Sequence, residues 1–337
     1  MAGTVVITGA SAGVGRAVAE AFGRRGCKVA LLARGTDGLE GARREVERLG
    51  GQALILPTDV ADAEAVESAA ARAEAELGPI GTWVNAAMIT SFSPFAEMEA
   101  DEFRRITEVV YLGTVHGTMA ALRRMRPRGR GVVVQVGSAL AHRALPVQSA
   151  YCGAKFAVRG FNEAVRVELR RESPGVRLSM VQLPAVNTPQ FDWARNRMGR
   201  RPMPAPPIFR PEAVAEAVLR AADTGPRELW VGLPAARLIV GAAVAPGLMD
   251  RLMARWGVEA QQAPEPEPGG RPDNHAAPLP GDHGANGRFA AAARGRVTIL
   301  DPDRLRWFAA AGLGGLVLAR LLGRRGATLS GRIGRVR

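Results

Sequence analysis

Tyr151 and Lys155 are the residues best suited to chemistry, because the chain is nearly empty of both residue types. It contains two tyrosines, Tyr111 and Tyr151, and two lysines, Lys28 and Lys155, although lysine and arginine together total 45. Residues four apart on a helix share a face, so the phenol and the ammonium would lie side by side. A nearby ammonium stabilises a phenolate and lowers its pKa, so we predict that Tyr151 exchanges protons with a substrate. The alternative is a helix with a half-buried tyrosine and a surface lysine.

Short β-branched runs alternate with amphipathic stretches from the N-terminus to about residue 232. This alternation predicts an α/β protein with a Rossmann-type, doubly wound parallel sheet of about seven strands and an irregular C-terminal extension. The predicted strands are Thr4–Thr8, Lys28–Ala33, Ala53–Pro57, Thr82–Asn85, Gly131–Val136, Arg177–Gln182 and Glu228–Val231. The predicted helices are Gly15–Arg25, Asp37–Leu49, Asp62–Leu77, Asp101–Met125 and Ala150–Arg171, with N-caps at Asp37, Asp62 and Asp101.

A glycine-rich segment from Thr8 to Gly15 follows the first predicted strand and opens the first helix. Glycines permit a sharp turn and a close approach of the backbone to a diphosphate, and the helix N-terminus offers free N–H groups to the phosphates. The strand–turn–helix context therefore predicts a dinucleotide site, with a tight turn that binds nothing as the alternative. The predicted binding residues are Gly9, Ser11, Ala12, Gly13, Val14 and Gly15.

Arg34 follows the second predicted strand, where an NAD-specific site would place an acid against the ribose hydroxyls. The guanidinium group instead suits a 2′-phosphate. Asp37 comes too late along the chain for this role and is expected to cap the next helix. The sequence therefore favours NADP(H) over NAD(H) as cofactor.

These motifs together resemble the short-chain dehydrogenase/reductase family, the single-domain type with a TGxxxGxG loop and YxxxK. The resemblance covers about residues 3–232 and includes further matches in the family's order. It implies an NADP(H)-dependent oxidoreductase that interconverts an alcohol and a ketone or aldehyde. The further matches are Asp59 and Val60 on the adenine side, Asn85 and Ala86 after the fourth predicted strand, Ser138 at the end of the fifth, and Pro184, Val186 and Thr188 after the sixth.

The resemblance also implies the catalytic roles. Tyr151 would be the general acid/base, Lys155 would lower its pKa and bind the nicotinamide ribose, and Ser138 would hydrogen-bond the substrate oxygen. Hydride transfer itself belongs to the cofactor. The chain departs from the family at Tyr111, which stands where a relay asparagine is usual, and the tyrosine could either serve in that relay or be a core aromatic.

Two other functions compete with this interpretation. A nucleotide-binding regulatory or scaffold protein would keep the fold and lose turnover, and Tyr111 is the residue that favours it. A membrane-surface lipid or steroid reductase is favoured by two apolar stretches, Leu238–Met249 and Trp307–Ala319, the second followed by arginines. Both stretches are shorter than the roughly 20 residues that span a bilayer. For the C-terminal tail we expect an interfacial helix with a basic flank, or a helix docked on the domain or on a partner subunit.

The composition predicts three regions. Residues 1–256 form the NADP(H)-binding catalytic domain, residues 257–296 a Pro/Gly-rich linker or wrapping loop, and residues 297–337 a basic, partly apolar helix or tail. The segments Ala139–Pro146 and Gln190–Pro211 are expected to line a pocket for an apolar carbonyl or alcohol substrate. Family habit predicts a homo-oligomer.

The remaining composition narrows the class of protein. The net charge of +13 comes mostly from arginines scattered along helices, and aromatic residues make up 5% of the chain, so we predict no nucleic-acid partner. Cys27 and Cys152 match no metal spacing, and the expected compartment is a reducing cytoplasm, with peripheral membrane contact through the tail as an option. The first strand follows Met1 so closely that no leader peptide is expected. No metal site is predicted, because His275 and His283 are more typical of a solvated loop.

Overall fold

The computed structural model describes residues 3–304, so the apolar stretch Trp307–Ala319 lies outside the described residues. The strands are β1 (Thr4–Thr8), β2 (Lys28–Ala33), β3 (Gln52–Pro57), β4 (Ile80–Asn85), β5 (Ser91–Phe92), β6 (Gly131–Ser138), β7 (Val176–Leu183), β8 (Arg195–Asn196), β9 (Arg200–Pro202), β10 (Glu228–Val231), β11 (Gln262–Pro266) and β12 (Ile299–Leu300). Eight of them form one sheet in the order β12-β10-β7-β6-β4-β1-β2-β3, and two small sheets pair β5 with β8 and β9 with β11.

The large sheet is the predicted doubly wound sheet with one additional strand. Strands β1, β2, β3, β4, β6, β7 and β10 are parallel, whereas β12 runs antiparallel to β10 at the edge. The two residues of β12 are too few to give a periodic pattern, which is why the sequence did not indicate them. The strand order reverses between β1 and β4. Ligands of such sheets bind at the carboxyl ends of the strands at this switch point.

The helices cover both faces of the sheet. They are α1 (Gly13–Gly23), α2 (Thr36–Arg48), α3 (Ala63–Leu77), α4 (Ala100–Thr107), α5 (Gly113–Arg128), α6 (Ser149–Glu172), α7 (Gln190–Trp193), α8 (Pro211–Thr224), α9 (Leu233–Val244) and α10 (Pro246–Trp256). A π-helical turn, Glu108–Leu112, separates α4 from α5 and interrupts the predicted helix Asp101–Met125. None of these helices within residues 3–304 is long and apolar enough to cross a membrane.

One of the three predicted N-caps is confirmed. Asp62 caps α3 by accepting hydrogen bonds from the N–H groups of Glu64 and Ala65. The predictions for Asp37 and Asp101 are wrong, because α2 and α4 begin earlier and place both aspartates inside the first turn. A carboxylate still interacts favourably with the positive end of the helix dipole there.

Alternating side chains of the central strands fill two separate layers. Along β1, Val5 and Ile7 pack with α1, α2 and α8 on one face, whereas Val6 packs with α3, α5 and α6 on the other. Full burial of each such side chain is worth about 1.5–3 kcal/mol. The two packed layers hold the carboxyl ends of β1, β4, β6 and β7 in fixed positions along one edge of the sheet.

Two C-terminal features lie at this same edge. Helices α9 and α10 form a hairpin that follows β10. Between β11 and β12, residues 267–298 form neither a helix nor a named strand, and we call this segment the strap. The strap packs along the cleft, beginning near α7 and ending at the bridge between Phe209 and Arg294.

Candidate active site

The glycine loop between β1 and α1 is shaped by two close backbone approaches. A Cβ atom on Gly9 would lie 2.7 Å from the Cα of Ala87, and one on Gly15 would lie 2.1 Å from the carbonyl oxygen of Gly9. Gly9 also has a φ of 70°, which favours glycine. Ala12, the N-cap of α1, offers no side-chain cap. The loop is therefore a tight glycine cradle at a helix start that no side chain caps.

A cavity of about 530 Å³ runs along the carboxyl edge of the sheet. It connects the glycine loop with the end of β6, the start of α6 and the α9–α10 hairpin. Most of the predicted site residues line it. These are Gly9, Ser11, Ala12, Gly13, Val14, Gly15, Arg34, Asp59, Val60, Ala86, Ser138, Tyr151, Lys155, Pro184, Val186 and Thr188.

Asn85 is a predicted cofactor residue that does not line the cavity. Its side chain accepts a hydrogen bond from Trp83 Nε1 at 2.8 Å and donates to Gln135 Oε1 at 2.9 Å and to Thr118 Oγ1 at 3.3 Å. These buried partners use its amide group fully. Asn85 therefore ties β4 to α5 and β6 behind the site.

Tyr111 also lies away from the cavity lining. It is part of the π-helical turn, and its ring makes an edge contact with Phe161 at a centroid distance of 6.4 Å. Its other apolar neighbours include Ala141, Val158 and Met180. Of the two roles left open by the sequence, this packing corresponds to the core aromatic.

Ser138, Tyr151 and Lys155 are brought together where β6 ends and α6 begins. Ser138 Oγ accepts a hydrogen bond from the N–H of Leu140 at 3.1 Å, which fixes the hydroxyl at the strand end. Lys155 Nζ donates to the carbonyl oxygen of Val136 at 2.8 Å and lies 5.6 Å from the centre of the Tyr151 ring. The i,i+4 spacing thus places phenol and ammonium on the helix face that lines the cavity.

Burial dominates the protonation of both groups. It raises the pKa of Tyr151 above its usual range, although a hydrogen bond with Ser138 acts in the opposite direction. It lowers the pKa of Lys155 to about 8. The pKa of Tyr151 therefore shifts opposite to the predicted direction, because desolvation outweighs the protein's other groups. Lys155 directs its ammonium group to Val136. The Tyr151 hydroxyl is therefore protonated at neutral pH, and Lys155 is mainly an ammonium.

The end of the cavity near β2 is cationic. Arg34 donates to three strap carbonyl oxygens, those of Asn274 at 2.6 Å, Ala276 at 3.2 Å and His275 at 3.3 Å. Nearby, Arg105 Nη2 lies 2.5 Å from Asp59 Oδ2. Sequence reasoning missed this contribution of the strap, because backbone carbonyl groups have no side-chain signature.

Asp59 remains ionised in this setting. Burial favours its neutral form, but the N–H of Ala61 and the guanidinium of Arg105 stabilise the carboxylate, and the net effect is a lowered pKa. Asp59 and Arg34 line this end of the cavity, and behind them Arg105 pairs with both Asp59 and Glu108, the latter at 3.9 Å.

The opposite end of the cavity, beyond Ser138 and Tyr151, is mainly apolar. The two predicted pocket segments contribute to it, and the α9–α10 hairpin contributes a further wall that the sequence did not indicate. The apolar and aromatic side chains are those of Leu140, Leu145, Phe191, Trp193, Met203, Pro204, Pro234, Leu238, Met253 and Trp256. This composition suits an apolar substrate.

The rings of His142 and His283 have partners outside the reacting group. His142 Nε2 lies 3.0 Å from Glu228 Oε1, and the ring of His283 meets Trp193 at a centroid distance of 4.8 Å. His275 is buried, and its backbone N–H donates to Asp273 Oδ1 at 2.9 Å, so it is not the solvated residue expected from the sequence. Residues 3–304 contain no cluster of acids, histidines and cysteines that could hold a metal ion.

A glycine cradle at the switch point of a doubly wound sheet, with serine, tyrosine and lysine beside it, defines a Rossmann-type nucleotide-binding oxidoreductase. The model of the short chain dehydrogenase family matches residues 3–198. The protein belongs to this family and is an oxidoreductase.

Similar proteins agree with the family assignment. The oxidoreductase YxnA of Bacillus subtilis is 33% identical over 264 residues, which are 78% of this chain and 74% of that protein. The 3-ketodihydrosphingosine reductase of Bos taurus is 30% identical over 229 residues, 66% of this chain and 68% of its own. The alcohol dehydrogenase of Thermococcus sibiricus, solved with 5-hydroxy-NADP, has a TM-score of 0.57 at 28% identity and covers 67% of this chain and 94% of its own.

Proposed function

We propose that the protein is an NADP(H)-dependent oxidoreductase that interconverts an alcohol and a ketone or aldehyde, with Tyr151 as general acid/base. The observation that carries the proposal is one cavity lined by the glycine cradle, by Arg34 and by the group of Ser138, Tyr151 and Lys155. The cradle fits a dinucleotide, since a Cβ atom at Gly9 or Gly15 would collide with backbone atoms.

The chemistry divides between the cofactor and the chain. The nicotinamide supplies or accepts a hydride when bound. Ser138 and Tyr151 hold the substrate oxygen, and Tyr151 gives it a proton during reduction and takes one back during oxidation. Lys155, with a pKa of about 8, carries the positive charge that stabilises the phenolate left behind. Lys155 would also hold the nicotinamide ribose, and Thr188 would hold the carboxamide.

The oxidoreductase is tested directly by mixing the purified protein with NADPH or NADH and a panel of ketones and aldehydes. Consumption of reduced cofactor that requires a carbonyl compound supports the proposal. The competing interpretation, a nucleotide-binding regulator, predicts cofactor binding without turnover of any carbonyl or alcohol. Tyr111, the residue that favoured the regulator, packs on Phe161 and does not line the cavity, which supports the oxidoreductase.

The preference for NADP(H) rests on Arg34, and its replacement by glutamine tests it. A hydrogen bond to a charged group contributes about 1.5–3 kcal/mol, so we expect Arg34→Gln to weaken NADPH binding by about tenfold to a hundredfold. NADH has no 2′-phosphate and should bind the variant nearly as well as the wild type. Fluorescence titration with both dinucleotides measures the two dissociation constants.

Arg25→Gln is the control for a lost surface arginine, because Arg25 forms an exposed ion pair with Asp223. Equal losses of NADPH and NADH affinity in Arg34→Gln would show that Arg34 acts only by holding the strap. That result would contradict a 2′-phosphate site.

A second candidate is a reductase that works at a membrane surface on long-chain substrates. The observation that favours it is an exposed apolar face on the α9–α10 hairpin. Leu233, Val240 and Val244 share one side of α9 because they are seven and four residues apart, and Leu248 and Trp256 are exposed on α10. The same hairpin lines the apolar end of the cavity. The similarity to a 3-ketodihydrosphingosine reductase is consistent with a long-chain ketone.

The membrane candidate predicts binding to anionic vesicles through the hairpin. The exposed helices carry Arg237, Arg251 and Arg255, and a basic apolar face binds acidic lipid surfaces. We expect the double substitution Val240→Asp and Val244→Asp to reduce co-sedimentation with anionic vesicles several-fold. Phe95→Asp, at an apolar residue that is 72% exposed outside the hairpin, is the control. Unchanged co-sedimentation of the double variant would remove the hairpin from the membrane candidate.

A further inference from the structure

Residues 274–284 of the strap follow the cofactor half of the cavity. At the start of this part, the carbonyl oxygens of residues 274–276 accept hydrogen bonds from Arg34. The N–H of Asn274 donates to the carbonyl oxygen of Trp193 at 3.2 Å. The strap therefore bridges the loop after β2 and the region of α7, which lie on opposite sides of the cleft.

The middle of the strap is fastened to α1 and α2. The N–H of Gly281 donates to Asp37 Oδ2 at 2.8 Å. Asp282 Oδ1 accepts from Arg16 Nη1 at 3.2 Å, and Arg16 is almost completely buried. A Cβ atom on Gly41 would lie 1.8 Å from Asp282 Oδ2, so α2 is shaped to admit this carboxylate.

The strap then reaches the start of α1 and the far wall of the cleft. The N–H of Gly13, at the beginning of α1, donates to the carbonyl oxygen of Gly284 at 3.0 Å. This carbonyl takes one of the helix N-terminal donors that would otherwise face the phosphates. Farther on, the N–H of Phe289 donates to Asn187 Oδ1 at 2.9 Å, next to the cofactor residue Thr188.

Five residues of the strap line the cavity itself: Asn274, Pro278, Leu279, Gly281 and His283. They follow one another between the Arg34 contact and the Gly13 contact. They are therefore a wall of the dinucleotide half of the cavity, opposite the glycine cradle and the end of β2.

We propose that the strap is a gate over this half of the site, so that the dinucleotide enters and leaves only when residues 274–284 move away from Arg34 and the start of α1. The inference rests on the proposed function, because it concerns the cofactor of that site. Residues 274–284 are held to the rest of the protein mostly by single hydrogen bonds, and Asp282 adds ion pairs with Arg16 and Arg44. Such segments open locally at a lower free energy than the whole fold, and a lid of this kind sets ligand release.

Asp282→Asn tests the gate by removing the charge that binds the strap to Arg16 without changing the size of the side chain. An interaction of this charged type contributes about tenfold or more to an equilibrium, so we expect NADPH to dissociate about tenfold faster from the variant than from the wild type. The measurement is stopped-flow displacement of bound NADPH by excess NADP. Asp223→Asn, which makes the same substitution in an exposed ion pair with Arg25 remote from the strap, is the control and should release NADPH at the wild-type rate.

Hydrogen exchange of the full chain provides a second readout that does not depend on any variant. We expect NADPH to slow the exchange of amides in residues 274–287 and of Gly13, because the occupied site keeps the gate closed. If NADPH binds with unchanged strap exchange, and Asp282→Asn releases it at the wild-type rate, the gate is wrong and the oxidoreductase stands. If neither dinucleotide binds the wild type, the proposed function itself fails.

Discussion

Replacing Tyr151 by phenylalanine is expected to lower kcat/KM for carbonyl reduction by about 10²- to 10⁴-fold, the usual contribution of general acid/base catalysis. The variant keeps the ring, which fills its place between α6 and the end of β6, and loses only the hydroxyl that donates the proton. Dinucleotide affinity should change little. Steady-state kinetics with the best carbonyl compound, together with a cofactor titration, measure the two effects separately.

Tyr111→Phe is the matched control, because it removes the hydroxyl of the chain's other tyrosine. The Tyr111 ring packs on Phe161 and does not line the cavity, so this variant should retain its activity. A loss of activity in Tyr111→Phe comparable to that in Tyr151→Phe would mean that Tyr111 belongs to a proton relay. Full activity in Tyr151→Phe would contradict the role assigned to Tyr151.

Replacing Lys155 by methionine is expected to abolish most activity and to change how stability depends on pH. Burial places the folded-state pKa of Lys155 at about 8, below the value of an exposed lysine. The unfolded chain therefore binds a proton that the folded protein releases between about pH 8 and pH 10.5, and wild-type stability gains with pH in this window. The gain is on the order of 3 kcal/mol, and methionine, which does not titrate, lacks it.

Chemical unfolding of both proteins without added cofactor, at pH 7 and at pH 10.5, measures this difference. The free energy of unfolding of Lys155→Met minus that of the wild type should therefore be higher at pH 7 than at pH 10.5. The lost hydrogen bond to Val136 shifts the methionine variant by a similar amount at both pH values and therefore does not affect the comparison. The same pH dependence in both proteins would show that the lysine is not desolvated by folding.

The bounds of a strand could be predicted from the sequence where all of its apolar side chains are buried. Thr4–Thr8 and Lys28–Ala33 are strands with the predicted bounds, because uninterrupted apolar runs between turn residues identify strands buried on both faces. The π-helical turn at Glu108–Leu112 was not predictable, since its apolar pattern is compatible with a continuous helix.

The residues of the site likewise divide into those that the sequence predicted and those that it did not. The glycine cradle, Ser138, Tyr151 and Lys155 have side-chain or glycine signatures, and all line the cavity. Asn85 matches the family position, but its amide is satisfied by buried partners behind the site. The sequence predicted a Pro/Gly-rich linker or wrapping loop over residues 257–296, but not the contact of the strap with Arg34, because that contact uses backbone carbonyl groups. The hairpin was not predicted to line the pocket, because its pocket-facing side chains come from two separate helices.

The antiparallel strand β12 also affects how copies of the chain can associate. An unpaired edge strand can recruit the same strand of another molecule and continue the sheet. Here Ile299 and Leu300 pair with Val231 and Trp230, and the N–H of Gly232 donates to Thr298 at 2.7 Å, so the chain covers this end of the β10 edge itself. The sheet then ends in a strand of only two residues, and very short edge strands resist pairing with another chain. We therefore expect copies of the chain not to associate through the β10–β12 edge of the sheet.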